Sequence, residues 1–479
     1  MTEIEYDVIV IGAGPVGQTA ADRCSAAGLR VAVVERELVG GECSYWACVP
    51  SKALLRPVLA LADAMRVDGS REAVTGAVDP EGVFRRRDRY VSDWDDTGQA
   101  SAVTAMGADL IRGHGRLNGP RRVRVATPDG EEVLLGARHA VVIATGSGAA
   151  IPSVPGLDEV RPWTNREATD SREVPRRLAI VGGGGVAVEM ATAWQGLGSA
   201  VILLVRSRVL ANMEPFVGEA VVDGLRDSGV DVRVGAAVRR LHRDAGSGAV
   251  VVELEDGAAA EVDEVMFATG RTPLTGDMGL DTVGLVPGTW LDTDDTLTVT
   301  GVSGDWLYAA GDANHRALLT HQGKYQARIA ADVIAARAQS AEVDSSAWSP
   351  FTATADKLAV PQVFFTDPEA GSVGMTEGEA RAAGHSVSVV DIEIGDVVMG
   401  AKLYADGYRG RARMVVDDSR GIPLGVTMVG PGVGEMLHAA TIAVVGQVPI
   451  GRLWHAVPCF PTVSELWLRL LEAYRDRNS

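Results

Sequence analysis

One pattern occurs twice in this chain and limits its folds more than any other feature. The first copy is "DVIVIGAGPVG" from Asp7, a β-branched run that breaks into Gly12, Gly14 and Gly17. "QTAADRCSAAGLR" then reads as a helix ending at Gly28, and "VAVVE" as a second strand closing on Glu35. The second copy starts 170 residues later: a strand at Leu178–Val181, glycines at 182–185, a helix, and a strand ending at Arg206. Strand, glycine turn, helix and strand within about 30 residues is the context a dinucleotide-binding fingerprint requires. The second glycine lets the backbone approach a pyrophosphate, the third lets helix pack on strand, and the helix N-terminus offers N–H donors and partial positive charge. The spacing predicts an α/β protein with two nucleotide domains, the second inserted into the first.

The two copies differ where the second strand ends. Glu35 can accept hydrogen bonds from ribose hydroxyls, which suits FAD or NAD. Arg206 and Arg208 instead suit a 2′-phosphate, which a carboxylate would repel. The third glycine position of the second copy is Ala187, after Gly182 and Gly184. The second site therefore reads as one for NADPH rather than NADH, the alternative being that both arginines are solvated surface cations.

Composition excludes several classes. The chain has 479 residues, Lys plus Arg 45 against Asp plus Glu 63, and a net charge of −18. Such a surface disfavours nucleic acid and anionic membranes. No apolar run reaches the ~18 residues of a membrane span, and Met1–Tyr6 lacks the basic start of a secretory signal. The expectation is a cytoplasmic protein without a membrane partner. With 4 Cys it is no disulfide-stapled scaffold. The Ser-, Ala- and Asp-rich stretch 341–354 reads as a linker.

Two of the cysteines lie in "GGECSYWACVPSK" (40–52). Cys43 and Cys48 lack the further Cys or His neighbours zinc needs, so no metal site is expected. In a regular helix their Cα atoms would be about 8.6 Å apart, beyond the ~7 Å a disulfide tolerates. A bridge would require a distorted helix start or a loop, and strain of that kind marks a labile, catalytic disulfide. Two buried structural thiols are the alternative.

With "ATGS" (144–147), "ATGRTP" (268–273), "YAAGDA" (308–313) and "VFFTDPEAGSVGMTE" (363–377), the chain resembles the flavoprotein disulfide reductases, the pyridine nucleotide-disulfide oxidoreductases that include dihydrolipoamide dehydrogenase, glutathione reductase and mercuric reductase. The resemblance spans essentially the whole chain. It implies an FAD-binding domain (1–150 and 273–345), an NADP-binding domain (151–272) and an α+β C-terminal interface domain (346–479) that forms a homodimer and completes the partner's active site. By resemblance, Gly12, Gly14, Gly17, Glu35, Gly41, Ala144, Thr145, Gly146, Gly270, Arg271, Gly311, Asp312 and His321 belong to cofactor sites, with Asp312 on the flavin ribitol and His321 at a helix N-terminus facing the flavin pyrimidine. Cys48 would be the charge-transfer thiol and Cys43 the interchange thiol. Lys52 would sit near the flavin and pair with Glu189.

The chain departs from the family in three places. The family ends in a His-Pro-Thr followed by a Glu, the His serving as acid and base for the substrate thiol. Here, in "HAVPCFPTVSE", Phe460 stands at the His position while Pro461, Thr462 and Glu465 remain. His455 could compensate or be a surface histidine. The Phe resembles the ketopropyl-coenzyme M carboxylase branch, although that branch also replaces the Glu. Gly185 stands where glutathione reductases carry a Tyr lid, which implies a more open nicotinamide face of the flavin. The end "EAYRDRNS" lacks the vicinal cysteines of mercuric reductase, and Cys459 reads as a buried apolar filler or a third redox or metal-contacting thiol. The expected activity is NADPH-linked reduction of a small disulfide, thioether or related small-molecule electrophile through Cys43 and Cys48. The alternative is direct transfer from flavin to a quinone or metal ion.

Overall fold

The computed structural model describes residues 3–477. Met1, Thr2, Asn478 and Ser479, which the reading of the two ends includes, lie outside the described residues. The chain forms two compact units. One comprises 1–50, 88–148 and 271–357; the other comprises 51–87, 149–270 and 358–479. The stretch 51–87 thus clusters apart from the rest of 1–150.

In the first unit, seven strands form one sheet. Its order is Asp109–Arg112, Val31–Glu35, Glu3–Ile11, Glu132–Ile143, Arg122–Ala126 and His114–Leu117, with Leu307–Ala309 also paired to Glu132–Ile143. Strand Glu3–Ile11 runs parallel to both neighbours. Its side chains alternate between two cores, as the period of a strand demands. Val8 and Val10 pack with Ala327, Ala330 and Val333 of helix Thr320–Ala338. Ile9 and Ile11 pack on the opposite face with Leu135, Val141 and Trp306. The stretch 341–354 has no helix or strand, yet it is not a free linker: Thr352, Ala353 and Thr354 are buried. Ala353 joins the core, and Thr352 Oγ1 donates to the carbonyls of Ser346 and Ser349 at 2.9 and 3.3 Å.

The second unit carries three sheets. Four parallel strands run in the order Asp231–Val234, Ala200–Val205, Arg177–Val181, Glu264–Phe267. Three antiparallel strands follow between 238 and 262. The C-terminal part is a five-stranded antiparallel sheet whose core it shares with helices Val433–Val445 and Leu466–Arg477. Helix Cys48–Met65 contributes Leu54, Leu55 and Leu59 to a core with Trp194. It crosses helix Gly185–Gly196 closely, because a Cβ at Gly196 would fall 2.2 Å from Val58 Cγ1. These layers are the α/β architecture with an α+β C-terminal part that the fingerprints and their resemblance imply.

Candidate active site

The first fingerprint is built for close approach. Helix Pro15–Ala26 starts at Gly14 with no side-chain cap, so its first N–H groups remain available. Gly12 has φ 104°, and a Cβ there would lie 2.4 Å from Ala144 O. A Cβ on Gly17 would lie 1.8 Å from Gly12 O, whereas one on Gly14 would meet nothing within 4 Å. Gly12 and Gly17 are therefore glycine for packing, and Gly14 borders open space. Gly41, with φ 57°, comes against Gly14 Cα. Glu35 is buried and accepts from Ala13 N at 2.7 Å and Glu37 N at 2.8 Å. Thr145 Oγ1 is buried with no hydrogen-bond partner, a polar atom of the kind a ligand satisfies.

Asp312 sits in the 3-10 turn Gly311–Asn314. It accepts from Ser147 Oγ at 2.5 Å, and Ser147 in turn accepts from Arg271 Nε at 2.9 Å. Gly146 precedes Ser147, and Gly270 precedes Arg271, with φ 72° and 144° respectively. Gly311 N donates to Gln326 Oε1 at 2.8 Å. Gln326 Nε2 and Gln322 Nε2 both donate to buried Asp356, as does Arg316 Nε. The turn carrying Asp312 is thus held from both sides, by residues of which only Arg271 belonged to the expected set. His321 is the second residue of helix Thr320–Ala338 and is exposed.

The second fingerprint repeats this geometry in the other unit. Gly182 has φ 142°, and a Cβ there would fall 2.2 Å from Ala268 O. Ala187 Cβ would lie 3.5 Å from it, ordinary contact, so alanine serves as the third residue. Gly184 borders open space at an uncapped helix start. The two arginines differ. Both are exposed, but Arg208 Nη2 is turned onto the carbonyls of Ala211 and Met213. At Gly185 a Cβ would lie 2.4 Å from Cε1 of buried Phe364. The glycine makes room for that ring.

Between Cys43 and Cys48 the helix is broken. Gly41–Tyr45 ends at Trp46, with φ −137°, and a new helix begins at Cys48. The break supplies the distorted geometry that a regular helix lacks. The structure describes both residues as thiols. Thr320 Oγ1 donates to Cys43 Sγ at 3.2 Å and lies 3.3 Å from Cys48 Sγ. Hydrogen bonding to Cys48, then burial and the charge of Cys48, hold the Cys43 thiol well above its usual range; Thr320 and the Cys48 backbone oppose this.

Lys52 lies one turn beyond Cys48 on the same helix. Its Nζ donates to Glu189 Oε2 at 2.5 Å, and Phe365 N donates to Glu189 Oε1 at 3.0 Å. The Glu189 side chain is only 7% exposed, so both partners matter to it.

Near the C-terminus, Phe460 is 74% exposed and Val457 84%. Cys459 is exposed too, which corrects the reading of it as buried filler. His455 is exposed. Glu465 is buried, and its Oε1 accepts from Arg469 Nη2 at 2.5 Å. The sequence reading assigned Glu465 no partner; an arginine four residues on in the following helix is the signal it passed over.

Residues 6–337 match the family model described as pyridine nucleotide-disulphide oxidoreductase, and residues 360–470 match that family's dimerisation domain. The chain belongs to the pyridine nucleotide-disulphide oxidoreductases. It is 32% identical over 448 residues to dihydrolipoyl dehydrogenase 3 of Pseudomonas aeruginosa, covering 91% of each chain. It is 29% identical over 467 residues to a mercuric reductase of Staphylococcus aureus, covering 96% of this chain and 81% of that one. Among solved structures it is similar in fold to the Cu(II) complex of the HOCl-induced flavoprotein disulfide reductase RclA of Escherichia coli. The TM-score is 0.83 at 24% identity, over 98% of this chain and 99% of that one.

Membership in this family implies FAD and a pyridine nucleotide, and the uncapped helix at Gly14, the open space beside it and the orphaned Thr145 hydroxyl fit such a group. The dimerisation domain supports a homodimer. Among the described residues no helix is long and apolar enough to cross a membrane.

Proposed function

We propose that this pyridine nucleotide-disulphide oxidoreductase uses NADPH to cycle Cys43 and Cys48 between disulfide and dithiol, and reduces a small disulfide or a related thioether electrophile. The observation that carries this reading is the helix break that brings both sulfurs onto Thr320 Oγ1, at 3.2 and 3.3 Å. Gly12, Gly14, Glu35, Asp312 and the start of helix Thr320–Ala338 would hold FAD. Bound there, FAD supplies two-electron transfer between a nicotinamide and the disulfide.

The chain's own groups do the rest. Arg206, exposed at the end of strand Ala200–Val205, is the cation free to meet a 2′-phosphate. Cys43 attacks one sulfur of the substrate, releasing the first thiol and forming a mixed disulfide. Cys48 attacks Cys43, the second thiol leaves, and the Cys43–Cys48 disulfide is restored. Lys52, one turn past Cys48, adds positive charge beside the forming thiolate. Phe460 supplies no proton where the family has a histidine, which favours substrates whose thiols are good leaving groups. The alternative, direct transfer from flavin to a quinone or metal ion, drew on Gly185 and on the missing histidine; beside Gly185, Phe364 takes the space a Cβ would need.

The test is anaerobic NADPH addition to the oxidised holoenzyme. Two additional titratable thiols per chain, with a long-wavelength absorption band, are expected. Unchanged thiol content, or full disulfide reductase activity in Cys43→Ala, would overturn the reading.

A further inference from the structure

The Thr320 hydroxyl touches both sulfurs of the pair. A hydroxyl has one proton to give and lone pairs to accept with. While Thr320 donates to Cys43 Sγ, its oxygen is left to accept from a Cys48 S–H. The mirror arrangement, with Cys43 S–H donating to Oγ1 and Oγ1–H donating to Cys48 Sγ, differs only by one proton moved at each contact. Direct transfer between the sulfurs is the competing path, and it is the one that removing the hydroxyl would leave intact.

We infer that Thr320 is a proton relay inside the dithiol, through which Cys48 acts as the base for Cys43. The inference rests on the cycling proposed above. The step starts from Cys43 as thiol and Cys48 as thiolate. Thr320 Oγ1 gives its proton to Cys48 Sγ and takes the proton of Cys43. The S–H bond of Cys43 breaks, one forms at Cys48, the hydroxyl is restored, and no electron changes hands. Cys43 is then the thiolate nucleophile. A base within the pair answers the presence of Phe460, whose ring cannot take a proton, at the position where the family places histidine. Thr320 is 277 residues from Cys43 and 272 from Cys48, and its role follows from the docking of helix Thr320–Ala338 on the helix break.

The experiment is alkylation of Cys43 by iodoacetamide in the full-length holoenzyme, reduced with dithiothreitol at pH 7 and read by mass spectrometry. Thr320→Val is expected to slow it roughly tenfold to a hundredfold, at or below the low end of general-base effects. Thr320→Ser should stay within about threefold of the parent, because it keeps the hydroxyl. Cys48→Ser should slow alkylation as Thr320→Val does, and combining the two should add nothing, since both remove one path. Cys48→Ser measures the same path should Thr320→Val fail to fold. Parent-like alkylation in Thr320→Val, or additive losses in the double variant, would sink the relay alone. Failure of the parent to gain two thiols on NADPH addition would sink the cycling and the relay with it.

Discussion

Arg469 holds the carboxylate of buried Glu465 at 2.5 Å, one helical turn away on the same C-terminal segment. The arginine is itself spread over three partners, since it also donates to Glu472 at 2.8 Å and to Val397 O at 3.1 Å. The other oxygen, Glu465 Oε2, is buried with no partner among the described residues.

Removing Arg469 leaves a buried carboxylate with neither oxygen satisfied. Arg469→Ala is expected to cost about 1–3 kcal/mol, the range for orphaning a buried polar group. Glu465→Gln in the same background should recover part of it. Urea denaturation of the three proteins checks this. Phe460→His alone should leave disulfide reductase activity near the parent's, because Glu465 remains engaged by Arg469; adding Arg469→Ala should raise it above either single variant.

Gly185→Tyr should be destabilising, because the new Cβ would meet Phe364 at 2.4 Å. Overpacking of this kind costs about 1–3 kcal/mol. Phe364→Ala alone should also destabilise, and the two together should lose less than the sum of the single losses, as measured by thermal or chemical denaturation.

Arg206→Ala should raise the KM for NADPH by roughly tenfold or more, the scale of losing a charge-assisted hydrogen bond to a phosphate, and leave the KM for NADH unchanged. Arg208→Ala should do far less to either, since Arg208 is turned onto the Ala211 and Met213 carbonyls. Steady-state kinetics with both nucleotides separates the two cations.

Asp96 links acid stability to the segment leading into Cys43. Burial acts to raise its pKa, but the Arg112 fork at 2.6 and 2.9 Å and the Val39 N–H outweigh it and hold the carboxyl below its usual range. A depressed carboxyl stabilises the fold above its unfolded pKa and loses that stabilisation as pH falls through its folded value. Asp96→Asn should therefore be less stable than the parent at pH 7, with the gap closing as pH drops below about 4. Equal gaps at both pH values in calorimetry would contradict this.

Lys52→Met should destabilise more than Glu189→Gln. The first leaves a 7%-exposed carboxylate with only the Phe365 N–H, while the second keeps a neutral acceptor there. Paired melting temperatures decide it.

Local features of this protein could be read from the chain alone. Each fingerprint is a strand, a glycine turn and a helix whose reasons lie within about 30 residues: Gly17 must be small because Gly12 O is 1.8 Å from its Cβ position, and Glu35 ends the strand beside them. The break between Cys43 and Cys48 is equally local. What the chain alone did not reveal depends on residues far apart in sequence. Phe364 over Gly185, Thr320 on the sulfurs, Ser147 between Arg271 and Asp312, and Gln326 under Gly311 come from separate stretches that meet only when sheets and helices pack. A sequence pattern carries the period of one element, whereas these contacts depend on which faces of different elements close on each other. Even the space beside a glycine, which looks empty in a sequence, was decided by what the tertiary structure folded into it.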